Sequence, residues 1–425
     1  MGVKMILEIR LSNFYSIKEE IVLDMRAAKL NSRNARELKD NIFAYKDINL
    51  LKTAVLYGAN ASGKSNIIKA IRFCCSMVRH SANHNENSVF SYKKFKFDNY
   101  SEKPSSLFIH FVSNDVEYEY GFSIMQDRII TEELYFYPNG RRKKIFVRDE
   151  NGGVSKKEKY SFGSDIKRPL DVAENTSDKT LYLSRASQMD REIPKELFMY
   201  FNNTLLLGYT RFDTAEADIL FNMYKGLLLK ALQIADSDIV NVTAEKISAP
   251  HKHFDINMKD ESTGVAKVED SSNEKLKFST FHRLDPDISF DLITEESAGT
   301  KKLFAILLTI LDVVANNKIL LIDEIEDSLH TDIIEYIFNL FKASEKSQLI
   351  CTTHNTLFLD LTKFRKDQVY FVNKKDDAST DLYSLYDYSD FRDTMDLEKA
   401  YLGGRFDAVP IINSSLENLK QVIDG

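Results

Sequence analysis

The residues most capable of chemistry form a short glycine-rich stretch. Residues 58–65 read Gly-Ala-Asn-Ala-Ser-Gly-Lys-Ser and match the phosphate-binding pattern G-x-x-x-x-G-K-[ST]. The glycines let backbone N–H groups wrap a β-phosphate, and the start of the next helix adds partial positive charge. We expect Lys64 to reach the β- and γ-phosphates of ATP and Ser65 to hold Mg²⁺. The predicted nucleotide contacts are Gly58, Asn60, Gly63, Lys64, Ser65 and Asn66.

The flanking segments favour this interpretation over a chance match. Residues 53–57 are short and apolar, as expected of a buried strand. Residues 66–78 place Ile67, Ile68, Ile71 and Cys75 near one face, which predicts a helix. Strand, glycine loop and helix, in that order, are the context that this pattern requires.

Two apolar segments in the last third of the chain end in polar side chains. Residues 318–324 predict a strand ending in Asp323 and Glu324, and residues 348–354 predict one ending in His354. Helical patterns alternate with these strands, which favours a parallel sheet whose ligands bind at the carboxyl ends of strands. We expect Asp323 to hold Mg²⁺, Glu324 to orient an attacking water and His354 to contact the γ-phosphate. Taken alone, the acidic pair could be a strand-end turn and His354 a core histidine.

A third polar group precedes an apolar helical pattern. Ser297 and Gly299 stand just before residues 301–315, so the start of this helix could accept a phosphate. Because residues 58–65 already supply one phosphate-binding loop, a second such element suggests that two subunits sandwich the nucleotide. This predicts a dimer or a higher homo-oligomer with ATP at the interface.

Composition limits the class of protein. The 425 residues carry a net charge of −7, so any nucleic-acid contact must be local. No apolar run approaches the roughly 20 residues that span a bilayer, and no signal peptide is evident. Three cysteines, Cys74, Cys75 and Cys351, fall in apolar segments and predict buried thiols of a cytoplasmic protein rather than disulfides.

The pattern along the chain predicts an α/β fold built on a P-loop core. We expect this ATPase core in residues 1–80 and 281–390, and an antiparallel β lobe in residues 81–180. Residues 181–280 read as a helical insertion, with a polar hairpin or loop at 249–275. Residues 391–425 form a tail in which 414–422 predict a polar helix.

Three basic features admit more than one interpretation. His80 and His84 could form a metal pair, or belong to a polar surface loop, and the same holds for His251 and His253. The basic run at residues 141–144 could contact phosphate or nucleic acid, or be a solvated hairpin tip.

The order of these motifs resembles the ABC-type ATPases, in the AAA-related branch that includes SMC, RecF and OLD proteins. Residues 9–14 resemble the first strand of those heads, residues 323–330 resemble Walker B with the D-loop, and His354 matches the switch histidine. Ser297 and Gly299 stand where the L-S-G-G-Q signature stands. Ala61 departs from the usual glycine, and Gln126 is our candidate for the Q-loop glutamine.

Within this branch, residues 296–301 and 401–406 resemble the compact ATPases of bacterial anti-phage loci, most of all those of PARIS-type systems. This resemblance implies an ATP-hydrolysing sensor or switch that holds or licenses an effector protein encoded nearby. The alternative is a RecF-like DNA-repair ATPase that binds DNA. No Asp-x-Asp follows His354, which argues against the TOPRIM nuclease domain of OLD proteins.

Overall fold

The computed structural model describes residues 2–208, 214–235, 238–255 and 267–409. The chain divides into two compact units. The first unit comprises Met1–Gly208, Asn317–Glu326 and Phe338–Gly425, and the second comprises Tyr209–Asn316 and Asp327–Ile337. No helix in the described ranges has the length and apolar character needed to cross a membrane.

The first unit contains all the strands up to residue 208. These strands are β1 (Met5–Ser12), β2 (Ile21–Asp24), β3 (Ile42–Tyr45), β4 (Ile48–Leu51), β5 (Thr53–Tyr57), β6 (Ser105–Ser113), β7 (Val116–Ile124), β8 (Ile129–Phe136), β9 (Lys143–Asp149), β10 (Tyr160–Phe162) and β11 (Leu205–Leu207). The helices of this stretch are α1 (Arg33–Glu37), α2 (Lys64–His80), α3 (Lys156–Lys159), α4 (Pro169–Glu174), α5 (Tyr182–Gln188) and α6 (Glu192–Met199).

The remaining elements follow in chain order. The second unit holds α7 (Thr214–Ile234), β12 (Ile239–Asp255), β13 (Lys267–His282), β14 (Asp285–Asp291) and α8 (Ala298–Ala315). The chain then continues through β15 (Ile319–Ile322), α9 (Thr331–Ala343), β16 (Gln348–Thr352), β17 (Val369–Lys374), β18 (Thr380–Ser384) and α10 (Leu397–Leu402).

The site is built on a mostly parallel sheet with the order β11-β15-β16-β5-β17-β18. β11, β15, β16, β5 and β17 run parallel to one another, and β18 pairs with β17 in the antiparallel direction. Every residue of β5, β15 and β16 is buried, as expected when helices or other layers cover both faces of a parallel sheet. The predicted parallel sheet is therefore confirmed, and the carboxyl ends of β5, β15 and β16 meet at one edge.

An antiparallel sheet forms the rest of the first unit's core. Its order is β10-β9-β8-β7-β6-β1-β2, so the opening strand pairs with the predicted β lobe. Within β6, Leu107, Ile109 and Phe111 are buried while Phe108 and His110 between them are partly exposed. This period of two is the pattern of a strand with one face toward a core.

The insertion predicted at residues 181–280 begins with the helices α5, α6 and α7, which end at Ile234. After these helices, β12 and β13 pair in an antiparallel hairpin, which is one of the two alternatives predicted for residues 249–275. Its strands extend well beyond that predicted range. Phe278 and Thr280 are buried and alternate with the partly exposed Lys277 and Ser279, which is a strand period that the polar composition concealed. The helix predicted at 414–422 lies outside the described residues.

Candidate nucleotide site

The phosphate-binding loop joins β5 to α2, as the sequence predicts. Gly63 caps α2 with a φ of 112°, a left-handed conformation that favours glycine. A Cβ on Gly63 would lie 2.0 Å from Thr380 Oγ1, and one on Gly58 would lie 2.3 Å from the Val372 carbonyl oxygen. A side chain at either position would therefore overlap a neighbouring atom, so close packing requires glycine at both positions. Ala61 also has a positive φ, 64°, although it carries a side chain.

Lys64 is held inside the loop. Its side chain is 5 % exposed, and Nζ donates to the carbonyl oxygens of Gly58 over 2.7 Å and Ala59 over 3.0 Å. Burial lowers the pKa of Lys64 to about 8, although the negative charges of Glu326, Asp323 and Glu324 oppose that shift. A lysine caged among carbonyl oxygens is positioned to exchange them for phosphate oxygens.

Asp323 and Ser65 lie side by side at the carboxyl edge of the sheet. Ser65 Oγ donates to Asp323 Oδ1 over 3.2 Å, and Thr352 Oγ1 donates to the same oxygen over 2.7 Å. A serine hydroxyl and a carboxylate are hard oxygen ligands, so this pair fits Mg²⁺, which takes few protein ligands when it also binds phosphates. Among the described residues, no group of three or more His, Cys, Asp and Glu side chains could hold a metal by itself.

Glu324 follows Asp323 and faces the loop. Its side chain is exposed, and its φ is 51°, a left-handed conformation that is costly for a glutamate. The Glu324 backbone N–H donates to Thr352 Oγ1 over 2.7 Å, which holds the residue in this conformation. Strained backbone of this kind is concentrated at functional sites, where it points a side chain at a ligand.

His354 completes the predicted group. Its Nδ1 lies 3.5 Å from Lys64 Nζ. Partial burial, followed by the charge of Lys64, lowers the pKa of His354, and the three acids nearby oppose this. His354 is therefore biased toward the neutral imidazole, which can both donate and accept a hydrogen bond.

Sequence reasoning missed two residues of the site. Thr352 is the partner of both Asp323 and Glu324, as described above. Glu326 accepts the backbone N–H of His354 through Oε1, while its Oε2 is buried and has no hydrogen-bond partner within the described part of the chain. The available signals were a threonine at the end of a buried strand and a third acid two residues after Glu324.

The phosphate-binding loop, Glu324 and His354 line one cavity. Its volume is about 500 Å³, within the range of small-molecule sites. The residues lining it are Asn60, Ala61, Gly63, Lys64, Ser65, Asn66, Glu324 and His354. Seven of these eight were predicted from the sequence. Asn66 is oriented by a 2.7 Å hydrogen bond from Nδ2 to Ser16 Oγ.

The predicted signature residues lie in the second unit. Ser297 caps α8, and its Oγ accepts the backbone N–H of Thr300 over 3.0 Å. A Cβ on Gly299 would lie 3.1 Å from the Ser328 carbonyl oxygen, so the start of α8 packs closely on the segment after Walker B. Lys302 and Asp327 form a 3.1 Å ion pair across the same contact.

Gln126, the Q-loop candidate, lies outside the nucleotide cavity. Its Nε2 donates to the carbonyl oxygens of Phe90 and Tyr92, and it does not line the 500 Å³ cavity. The side chain ties a loop to the antiparallel sheet, and its assignment to the Q-loop stays a prediction.

Fold and site together define a P-loop ATPase: a parallel sheet whose carboxyl edge carries Walker A and Walker B residues. The chain belongs to the family described as "AAA domain, putative AbiEii toxin, Type IV TA system", which matches residues 54–360. No curated protein matches the chain significantly.

Several solved structures are similar to the chain. An SMC head bound to the C-terminal winged-helix domain of ScpA is 15% identical, with 93% of this chain and 99% of that one covered and a TM-score of 0.39. The SMC head domain from Thermotoga maritima is 14% identical, with 90% and 99% covered and a TM-score of 0.36. An SMC head with an extended coiled coil, bound to the C-terminal domain of ScpA and derived from Pyrococcus furiosus, is 14% identical, with 95% and 99% covered and a TM-score of 0.40.

Proposed function

We propose that this protein hydrolyses ATP with Mg²⁺ at composite sites formed between two copies of the chain. The observation that carries the proposal is the convergence of Lys64, Ser65, Glu324 and His354 on one cavity, with Asp323 hydrogen-bonded to Ser65. Phosphoryl transfer needs positioning and charge neutralisation more than covalent chemistry, and these residues supply both.

Each residue has a distinct role in this proposal. Lys64 binds the β- and γ-phosphates, Glu324 orients the attacking water and His354 donates to the γ-phosphate. Ser65 and Asp323 would hold Mg²⁺, which neutralises phosphate charge when it is bound. Gly58, Asn60, Gly63 and Asn66 form the backbone cradle around the phosphates.

The second half of each composite site would come from a partner copy. Ser297 and Gly299 stand at the start of α8, where free backbone N–H groups favour an anion. The P-loop has its own phosphate-binding helix start, α2. A second helix start of this kind is therefore best explained by a γ-phosphate that is bound from the opposite side by another subunit.

We further propose that ATP turnover in this cytoplasmic protein controls an effector protein in anti-phage defence. The family description names a putative toxin of a type IV toxin–antitoxin system, which supports a role in a two-component locus that includes a toxic protein. The sequence resemblance to ATPases of PARIS-type loci supports the same role. The alternative is a RecF-like ATPase that acts directly on DNA.

Native mass measurement of Glu324→Gln and Lys64→Ala, each with ATP and expressed with the neighbouring genes, tests this proposal. We expect Glu324→Gln to retain ATP in a complex of at least two copies that also contains a second protein in fixed ratio. Lys64→Ala should lack both ATP and this assembly. If Glu324→Gln retains nucleic acid and no second protein, the effector proposal is wrong and the DNA-acting alternative takes its place.

A further inference from the structure

A second cavity lies beside α2, away from the P-loop residues. Its volume is about 580 Å³, close to that of the nucleotide cavity. The basic residues that line it are Arg72, Arg79, His80 and His84, and none of the described residues that line it is Asp or Glu. In a chain with a net charge of −7, this described lining is locally basic.

The basic side chains of this cavity form no ion pair with any residue that the structure describes. Arg72 is exposed and forms no hydrogen bond or ion pair with any residue that the structure describes. His80 lies two turns further along the same face of α2 and is likewise exposed and unpaired in the described ranges. Arg79 donates to the carbonyl oxygens of Phe201 and Leu205, which orients it without neutralising its charge.

The basic run at residues 141–144 behaves differently. Arg142 pairs with Glu119 over 2.7 Å, and Lys143 pairs with Asp165 over 2.6 Å. Two of the four cations at this hairpin tip are therefore balanced by acids within the chain. Among the basic features that the sequence singles out, the face of α2 is the better candidate for an external anion.

One side of the cavity is apolar. Phe73 is half-buried, and its ring stacks on Tyr92 with 4.8 Å between centroids, so the ring is held in place. Val89 is 66 % exposed, and Leu207 lines the cavity on the β11 side. A fixed aromatic ring next to unpaired guanidinium and imidazole groups suits a ligand with a flat ring and a phosphate.

We propose that this cavity binds a nucleotide unit, with its phosphate on Arg72 and His80 and its base against Phe73 and Val89. The same chemistry is offered by a free mononucleotide and by one unit of a single-stranded nucleic acid. The site is separate from ATP hydrolysis, because none of its lining residues lines the P-loop cavity. It therefore stands whether or not the composite ATP site is correct.

Fluorescence anisotropy on the full-length chain tests this site. Two probes are used, a short fluorescent oligodeoxythymidine and a fluorescent mononucleotide, each against protein carrying Lys64→Ala so that the P-loop does not contribute. In this background Arg72→Glu is compared with Lys69→Glu. Lys69 is exposed on the same helix but does not line the cavity, so its substitution makes the same charge change elsewhere.

We expect Arg72→Glu to weaken binding of at least one probe by about tenfold or more, and Lys69→Glu to weaken it much less. If Arg72→Glu weakens binding of the oligonucleotide alone, the site is assigned to a nucleic-acid strand. If it weakens binding of the mononucleotide, the site is assigned to a free nucleotide. For a phosphate contact, Arg72→Gln should also reduce the slope of log affinity against log salt by about one. Equal affinities for Arg72→Glu and Lys69→Glu with both probes would overturn the proposal.

Discussion

Thr352 donates its hydroxyl to Asp323 Oδ1 over 2.7 Å and accepts the backbone N–H of Glu324 over 2.7 Å. One side chain at the end of β16 therefore fixes both acids at the end of the neighbouring strand, β15. Thr352 lies 28 positions after Glu324 and 29 positions after Asp323 in the chain. The three residues meet because β15 and β16 pair in parallel.

Replacing Thr352 by valine removes this hydroxyl while keeping the shape of the side chain. We expect the ATP turnover rate to fall by about tenfold to a hundredfold, as is typical when a residue supporting a metal ligand is lost. The free energy of unfolding should fall by only about 1 kcal/mol. Steady-state ATPase assays across Mg²⁺ concentrations, together with denaturant unfolding, measure both quantities.

Thr131→Val is the matched control for this substitution. Thr131 exchanges a 2.6 Å hydrogen bond with Ser123 in the antiparallel sheet, remote from the acids. We expect a similar loss of stability with unchanged turnover. If Thr352→Val and Thr131→Val turn over ATP at the same rate, Thr352 has no positioning role.

Ala61 and Ala378 share an unusual backbone conformation. Both have a φ of 64°, one in the P-loop and the other in the turn between β17 and β18. A left-handed conformation costs a residue with a Cβ about 1 kcal/mol, which glycine avoids at the expense of a more flexible unfolded chain. We expect Ala61→Gly and Ala378→Gly to leave stability unchanged or raise it by up to about 1 kcal/mol.

Nucleotide affinity separates these two substitutions. Ala61 lines the nucleotide cavity, so the relaxed loop of Ala61→Gly should change the ATP dissociation constant, whereas Ala378→Gly should not. Calorimetric titration with ATP measures this difference. A clear loss of stability in both variants would show that neither loop is strained at its alanine.

Local patterns were sufficient to predict most of the fold and site. The apolar residues of β5 and the glycines after it predicted the strand, the loop and α2, because each is encoded by neighbouring residues. Asp323 and His354 were found because each lies within two residues of the end of a buried strand. Thr352 and Glu326 could not be found in this way, since their roles depend on hydrogen bonds between strands that only the folded sheet brings together.

The same reasoning explains what the sequence left open. The hairpin of β12 and β13 has few large apolar residues, and its partners are up to 43 residues apart, as between Ile239 and His282. Composition therefore left a hairpin and a loop as alternatives at residues 249–275 and did not indicate how long the two strands are. No local pattern indicated that the amide of Gln126 would bond to Phe90 and Tyr92.

Glu326 should control the pH dependence of nucleotide binding. Burial lowers the pKa of Lys64 to about 8, and Glu326 makes the largest of the opposing contributions. Lys64 binds phosphate in its charged form, so affinity should be highest below about pH 8 and fall above it. Glu326→Gln removes the opposing charge, so the pKa of Lys64 should drop and the loss of affinity should begin at lower pH.

ATP titrations between about pH 6 and pH 9 measure this shift. Glu335→Gln is a suitable control, because Glu335 lies on α9 and does not appear among the charges that shift the pKa of Lys64. Parallel pH profiles for wild type and Glu326→Gln would contradict the electrostatic role. The residue would then act only through its hydrogen bond to the backbone of His354.

Mixing two inactive variants tests the composite ATP site directly. Lys64→Ala disables the P-loop of its own chain, and Ser297→Arg blocks the start of α8 with a bulky cation. In a mixed dimer with composite sites, one site pairs the altered P-loop of the Lys64→Ala chain with the altered α8 of the Ser297→Arg chain. The other site pairs the intact P-loop of the Ser297→Arg chain with the intact α8 of the Lys64→Ala chain. We therefore expect ATP turnover to return on mixing, to about a quarter of the wild-type rate at equal concentrations.

A second mixture provides the control. Lys64 and Glu324 line the same cavity of one chain, so a mixture of Lys64→Ala and Glu324→Gln leaves every composite site with one defect. This mixture should stay inactive. Recovery in the first mixture and not in the second requires that Ser297 serve the P-loop of another copy. If neither mixture recovers although both pairs form mixed dimers, each site is complete within one chain and the inter-subunit proposal is wrong.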